Sequence, residues 1–275
     1  YGDHRDLHIS LRRQRQMCIR DRYLIAPSFK VADKKFFWIF SILSFVFKDI
    51  VFDRILLAPK ESDFLTYRVI SNLSDLIGVR DVNFEYLDGW RLNSFTMAGQ
   101  FSAHLLISLC VGFVAAFPYV FWEIWRFVKP ALYSKENKAA KGAVFFTSIL
   151  FSLGVLFGYY LVVPLSINFL YSYSVSTEVS NTIGLISFVS TVTTISLVNG
   201  MIFQLPILVY FLTKIGLVTP AFMKRYRKHA MVLILILAAI ITPPDVISQV
   251  LVAFPVLVLY EISIRISKKV LKKKE

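Results

Sequence analysis

The sequence predicts an all-α membrane protein with six transmembrane helices and both termini on the cytoplasmic side. Three observations carry this expectation. Of the 275 residues, 56% are hydrophobic and 18% charged, at a mean hydropathy of +0.61, well above the apolar share of a soluble domain. The apolar residues gather in runs on the scale needed to cross about 30 Å of hydrocarbon. The basic residues lie between those runs, dense in some loops and sparse in the next, which is the charge pattern of a polytopic protein. That placement also removes nucleic acid from the reading of the +13 net charge, because no basic face or recognition motif accompanies it. Cys18 lies in a polar stretch and Cys110 inside an apolar run, so neither a disulfide nor a metal site is implied.

Taken in order, residues 1–22 are dense in charge and show no apolar periodicity, so they read as a non-native or disordered N-terminal segment at a truncated end, leaving 23–275 as a single membrane domain. Arg12-Arg13 is not an export signal, because no apolar run follows until Phe36. The first span, 36–52, is barely long enough and is interrupted by Lys48-Asp49. Residues 53–95 form a polar loop outside the membrane, with short helices expected in it. The second span is 101–122, with His104 near its start and Pro118 near its end; the third, 143–163, is free of charge; the fourth, 186–212, lies in the charge-free stretch Ile183 to Thr213. In the last apolar stretch, Thr242-Pro243-Pro244-Asp245 cannot continue a helix through lipid. It divides that stretch into spans at 230–243 and 246–263, each short for the bilayer at roughly 21–27 Å of helix.

Loop charge sets the sides. Arg126, Lys129, Lys135, Lys138 and Lys141 lie before the third span, Lys214, Lys224, Arg225, Arg227 and Lys228 after the fourth, and Arg265, Lys268, Lys269, Lys272, Lys273 and Lys274 in the tail. Those segments belong in the cytoplasm, and the acid-leaning or nearly uncharged segments between them outside. A basic 214–229 segment and a basic tail on one side require an even number of crossings between them, hence two short spans. Short spans are relieved by bilayer thinning or by recruiting partners.

No Ser-His-acid set, His-Glu-x-x-His, phosphate-binding loop or Gly-x-Gly-x-x-Gly is present, so the chain is not expected to be an enzyme, and no cofactor is implied. His104 and His229 sit at span ends, where polar residues are ordinarily positional. Gly154 and Gly158 form a small-xxx-small pair that lets two helices approach closely. Gln204, Thr242 and Gln249 are polar groups within the apolar spans, and each needs a partner. Either they satisfy one another inside the bundle, or they form a polar notch for a separate single-span helix. The cytoplasmic segment 122–136 places Trp122, Trp125, Phe127 and Tyr133 together with Glu136. An interfacial aromatic belt explains the rings. It leaves Glu136 unexplained, whose natural partner on a basic face is an incoming cation such as arginine.

FPYVFWEIWRFVKPALY at 117–133, FGYYLVVPL at 157–165, FQLP at 203–206, GLVTP at 216–220 and ITPPDVISQ at 241–249 resemble the TatC family, in order and across residues 45–270. The resemblance implies a receptor and translocation core in the bacterial cytoplasmic membrane. Such a core reads twin-arginine signal peptides on folded cargo, assembles into an oligomer with single-span Tat subunits, and uses the proton gradient. By motif match it implies a signal-peptide site at Glu136 and Phe127, with Trp125, Pro130 and Lys138 beside them. It further implies a partner-helix site at Gln204, Thr242 and Gln249, and structural positions at Pro59, Pro118, Pro243, Pro244 and Asp245. Two departures stand out. The family's N-terminal Ser-Phe-Leu-x-His-Leu-x-Glu-Leu-Arg motif is absent from the sequence as it stands, which predicts weakened signal-peptide binding, and Gln204 stands where many relatives place Glu. A small-molecule or ion secondary transporter is the alternative, but it would want midplane charges or an internal repeat, and the sequence has neither.

Overall fold

The computed structural model describes residues 35–61, 63–77, 91–128, 137–176, 178, 182–242 and 246–272. Among them the chain is helical, with one isolated bridge between Asn93 and Gly184 in place of any strand. Helix α1 (Lys35–Val46) runs into a π-helical segment, Asp49–Leu56, and a 3-10 turn, Ala58–Lys60. Then come α2 (Leu65–Ile77), α3 (Gly99–Val128) and α4 (Asn137–Phe157). A π segment (Gly158–Val162) joins α4 to α5 (Val163–Ser172). The rest is α6 (Leu185–Ile202), α7 (Leu205–Ile215), α8 (Pro220–Arg225), α9 (Arg227–Ile241) and α10 (Val246–Lys272).

Four described stretches are long and apolar enough to cross a membrane: Gly99–Ile124, Val144–Ser172, Leu185–Ile215 and Ser248–Lys272. Helix α1 is shorter, and α9, at 15 residues, is only ~22 Å long. The expected first span thus changes character at Lys48-Asp49, passing from α1 into the π segment. The expected loop at 53–95 does carry short helices. In it Arg68 donates to Asp63 (Nε–Oδ1 3.0 Å), and this hydrogen bond, with the guanidinium charge, holds the exposed Asp63 carboxyl below its ordinary range.

Three boundaries differ from the sequence expectation, each for a backbone reason. The third span runs on to Ser172 because Pro164 enters the first turn of α5, where its missing N–H is tolerated, through the π segment before it. The fourth breaks at Phe203-Gln204, ahead of Pro206, which cannot donate to the Ile202 carbonyl. Shortness holds for α9 but not for the last helix, whose 27 residues span ~40 Å. Charge ended the apolar run at Ser263 but did not end the helix, because Lys269 and Lys272 in its last turn suit the negative end of the dipole.

The Gly-Leu-Val-Thr-Pro segment joins α7 to α8 by two caps. Gly216 takes φ +93° and closes α7, its N–H and that of Leu217 both reaching the Leu212 carbonyl. Thr219 then caps α8, its hydroxyl accepting from the Phe222 N–H at 3.2 Å, with Pro220 at the first helical position.

In lipid, close van der Waals packing holds helices together. Helix α4 lies on α6, α3 packs on both, and α7 lies along α10. At the α4–α6 crossing a Cβ on Gly154 would stand 2.7 Å from the Asn199 carbonyl oxygen, and one on Gly158 3.1 Å from the Ile195 oxygen. From the other side, Gly200 accepts the Phe151 ring, which also stacks on Phe117 of α3 at 3.5 Å. The core then continues through Val163, Val189, Val192, Ile195, Val252 and Val256.

Two ends can be told apart. At one, Asn93 pairs with the residues flanking Gly184, and the buried Tyr67 hydroxyl donates to the carbonyls of Pro164 (2.9 Å) and Pro59 (3.3 Å). At the other, Arg227 pairs with Glu261 (2.9 Å), Thr213 donates to Ser267 (2.9 Å), and the Tyr260 hydroxyl donates to the Met223 carbonyl (2.9 Å). The start of α9 and the basic half of α10 therefore share one end of the bundle.

Candidate functional site

Gln204 sits at the break between α6 and α7, half-buried, where the helix has already surrendered its regular bonding. Its amide nitrogen donates to the Thr147 carbonyl of α4 at 3.3 Å and to the Gly200 carbonyl at 3.5 Å. Its Oε1 is buried and has no hydrogen-bond partner among the described residues. One turn earlier the wholly buried Asn199 repeats the pattern: Nδ2 donates to the Ile195 carbonyl at 2.8 Å, and Oδ1 has no partner. Both amides therefore hold onto the helices through their donors and keep an acceptor in reserve. Such an acceptor inside lipid calls for a donor from elsewhere.

Thr242 and Gln249 are brought together, but by way of α9. The buried Thr242 hydroxyl donates to the Ala238 carbonyl at 2.9 Å, and Gln249 Nε2 reaches across from α10 to the Leu235 carbonyl at 3.2 Å. Neither bonds Gln204; both donors are met by backbone carbonyls within the bundle. Gln204 faces the α4–α6 contact, whereas Thr242 and Gln249 bond to carbonyls of α9. Pro243, Pro244 and Asp245, between α9 and α10, lie outside the described residues.

Of the expected signal-peptide residues, Trp125 and Phe127 fall in the last turn of α3 and Lys138 in the first turn of α4. Pro130 and Glu136, between those helices, lie outside the described residues, as does segment 1–22. Pro118 is carried inside α3, on an exposed face. Pro59 is buried and opens the 3-10 turn, where its carbonyl receives Tyr67. His229 stands against Tyr226 at the start of α9, with ring centroids 5.6 Å apart.

Sequence reasoning missed Asn199, and it missed Thr66 and Tyr67, which bind the carbonyls around the third span's π segment.

Comparison with known proteins agrees with this architecture. Residues 35–255 match the family Sec-independent protein translocase protein (TatC). The chain is 39% identical over 228 residues to the Sec-independent protein translocase protein TatC of Blattabacterium sp. subsp. Periplaneta americana, covering 82% of this chain and 86% of that protein. To the protein of the same name from Helicobacter pylori (strain J99) it is 44% identical over 164 residues, 60% of this chain and 66% of that one. Among solved structures, the crystal structure of the twin arginine translocase receptor TatC superposes with a TM-score of 0.67 at 30% identity, covering 90% of this chain and 99% of that one.

Proposed function

Because the chain belongs to the TatC family of Sec-independent protein translocase proteins, we propose that it is the receptor and translocation core of a twin-arginine system. It recognises twin-arginine signal peptides on folded cargo and passes that cargo across the membrane at the expense of the proton gradient. The chain is a multi-pass inner-membrane protein of a translocase family that is not catalytic. The observation that most directly supports the reading is the agreement in fold with the twin arginine translocase receptor along 90% of the chain.

In this reading the chain crosses the bilayer six times, with α1 and its π segment as the first crossing and α9 and α10 as the fifth and sixth. The end tied together by Arg227–Glu261 and Thr213–Ser267 faces the cytoplasm, where its Lys and Arg are favoured. The Asn93–Gly184 end faces outward. Glu136, on the cytoplasmic segment between α3 and α4, receives the arginine pair of the signal peptide as a charge-assisted, bidentate partner, with Phe127, Trp125, Pro130 and Lys138 around it. Gln204 receives a polar side chain of a single-span partner through its spare Oε1. Thr242 and Gln249 form a second contact where the short α9 leaves the bilayer thin. Pro59, Pro118, Pro243, Pro244 and Asp245 shape the backbone.

The test is co-purification of the full-length protein with a twin-arginine signal peptide and with its double-lysine variant. Retention of the first and loss of the second supports the reading; equal retention of both counts against it.

A further inference from the structure

Serines in these spans ordinarily turn back on their own helix: Ser148 donates to the Val144 carbonyl at 2.9 Å, Ser172 to Asn168 at 2.8 Å and Ser263 to Leu259 at 2.6 Å. Among those that do not, besides Ser196, are three more. Ser41, Ser44 and Ser108 are 5%, 6% and 2% exposed, and none of their hydroxyls has a hydrogen-bond partner among the described residues. The His104 Nε2 is buried and unpartnered as well.

These four groups share one seam. On α3, His104, Ser108 and Gly112 recur every fourth residue and so form one stripe; on α1, Ser41, Ser44 and Phe45 share a face. Two contacts lay the stripe against the face. The Phe45 ring stacks on the His104 imidazole with centroids 4.1 Å apart and planes at 16°. A Cβ on Gly112 would stand 2.2 Å from the Ser41 hydroxyl and 2.8 Å from its Cα, so Ser41 occupies the space the glycine leaves.

A dry apolar seam would leave four polar groups unsatisfied in lipid, each at a cost comparable to a lost hydrogen bond. Their chemistry defines what would satisfy them. Hydroxyls and an imidazole nitrogen both give and take hydrogen bonds, and no Asp, Glu, Lys or Arg lies within 41–46 or 102–111 to hold an ion. A small neutral molecule that both donates and accepts is required. We propose that the α1–α3 seam is an internal hydration site, in which ordered water bridges Ser41, Ser44, Ser108 and His104. The first helix of the bundle is then joined to the second by exchangeable water-mediated bonds, where α4 and α6 are joined by close backbone contact.

The test uses the full-length protein in lipid nanodiscs, with Cys18 and Cys110 replaced by alanine, and reads two properties. Ser44→Cys and Ser108→Cys are exposed to a small charged methanethiosulfonate, which reacts only with hydrated thiols. Ile42→Cys, on the lipid side of α1 at 61% exposure, is the control. Labelling several-fold faster at the two seam positions than at Ile42→Cys is expected, and labelling no faster overturns the proposal. Thermal melting of Ser44→Ala and Ser108→Ala decides the question independently if a cysteine variant fails to fold. A hydrated seam loses a bridge and melts lower. A dry seam loses an unsatisfied hydroxyl and melts at the same temperature or higher, which contradicts the proposal.

Discussion

The Thr66 hydroxyl donates to the backbone carbonyl of Tyr160, inside the π segment that leads into Pro164. Helix α2 is thus tied directly to the π segment of the third span. Tyr67 adds a second tie to the Pro164 carbonyl, and Phe64 stacks on Tyr160 with centroids 5.4 Å apart. Proline and the π segment would otherwise make this the weakest point of the third span.

Thr66→Val keeps the shape and removes the donor, which should cost about 0.5–1.5 kcal/mol, the net contribution of one hydrogen bond. Thr66→Ser keeps the donor and should melt close to the parent. Thermal unfolding in detergent separates the two; equal melting of Thr66→Val and Thr66→Ser would show the bond to be without consequence.

How much of this was legible in the sequence depends on which force decided each feature. Apolar runs and charge located the four long spans, because apolar runs in lipid have few alternatives, and the Pro243-Pro244 pair marked the break after α9, whereas the break ahead of Pro206 was not expected. The third span ran past its expected end at 163, since a proline in the first turn of a helix is accommodated, and the apolar run at Ser263 ended nine residues before the helix did. The candidate site was legible as residues but not as an arrangement. Gln204, Thr242 and Gln249 were each identified by polarity, yet nothing in their spacing revealed that Gln204 belongs to the α4–α6 contact and the other two to α9–α10. Asn199 was invisible because an amide that bonds its own helix leaves no pattern in the chain.

Glycine substitutions should rank by what a Cβ meets. Gly154→Ala meets backbone, the Asn199 oxygen at 2.7 Å, and should lose about 1–3 kcal/mol. Gly200→Ala meets the ends of the Val155 and Phe151 side chains and should lose less. Gly142→Ala meets nothing within 4 Å and should gain about 0.5–1 kcal/mol as a helix interior position. Melting temperatures in that order support the crossing; a Gly154→Ala variant as stable as the parent argues against it.

The α7–α8 corner should respond to either of its caps. Gly216→Ala forces φ +93° on a residue with a Cβ, costing about 1 kcal/mol. Thr219→Ala removes the N-cap of α8 at a similar cost, about 1 kcal/mol. Hydrogen exchange along 216–226 should rise in both variants, while the α4–α6 contact stays protected.

Gln204→Leu should reduce co-purification of the single-span partner several-fold, and Gln204→Glu, which retains acceptor oxygens, should preserve most of it. Loss of partner in neither variant would remove Gln204 from that contact.

Glu136→Lys reverses the charge offered to the signal peptide and should abolish export of twin-arginine cargo at unchanged expression. Unimpaired export would relieve Glu136 of the role.

The most direct test of the whole account is cysteine accessibility across the membrane at Glu136, Asp245 and Lys272 in a background without Cys18 and Cys110. Six crossings predict that positions 136 and 272 react only from the cytoplasmic side and position 245 only from outside. Labelling of 136 and 272 from opposite sides would contradict the arrangement on which the receptor reading stands.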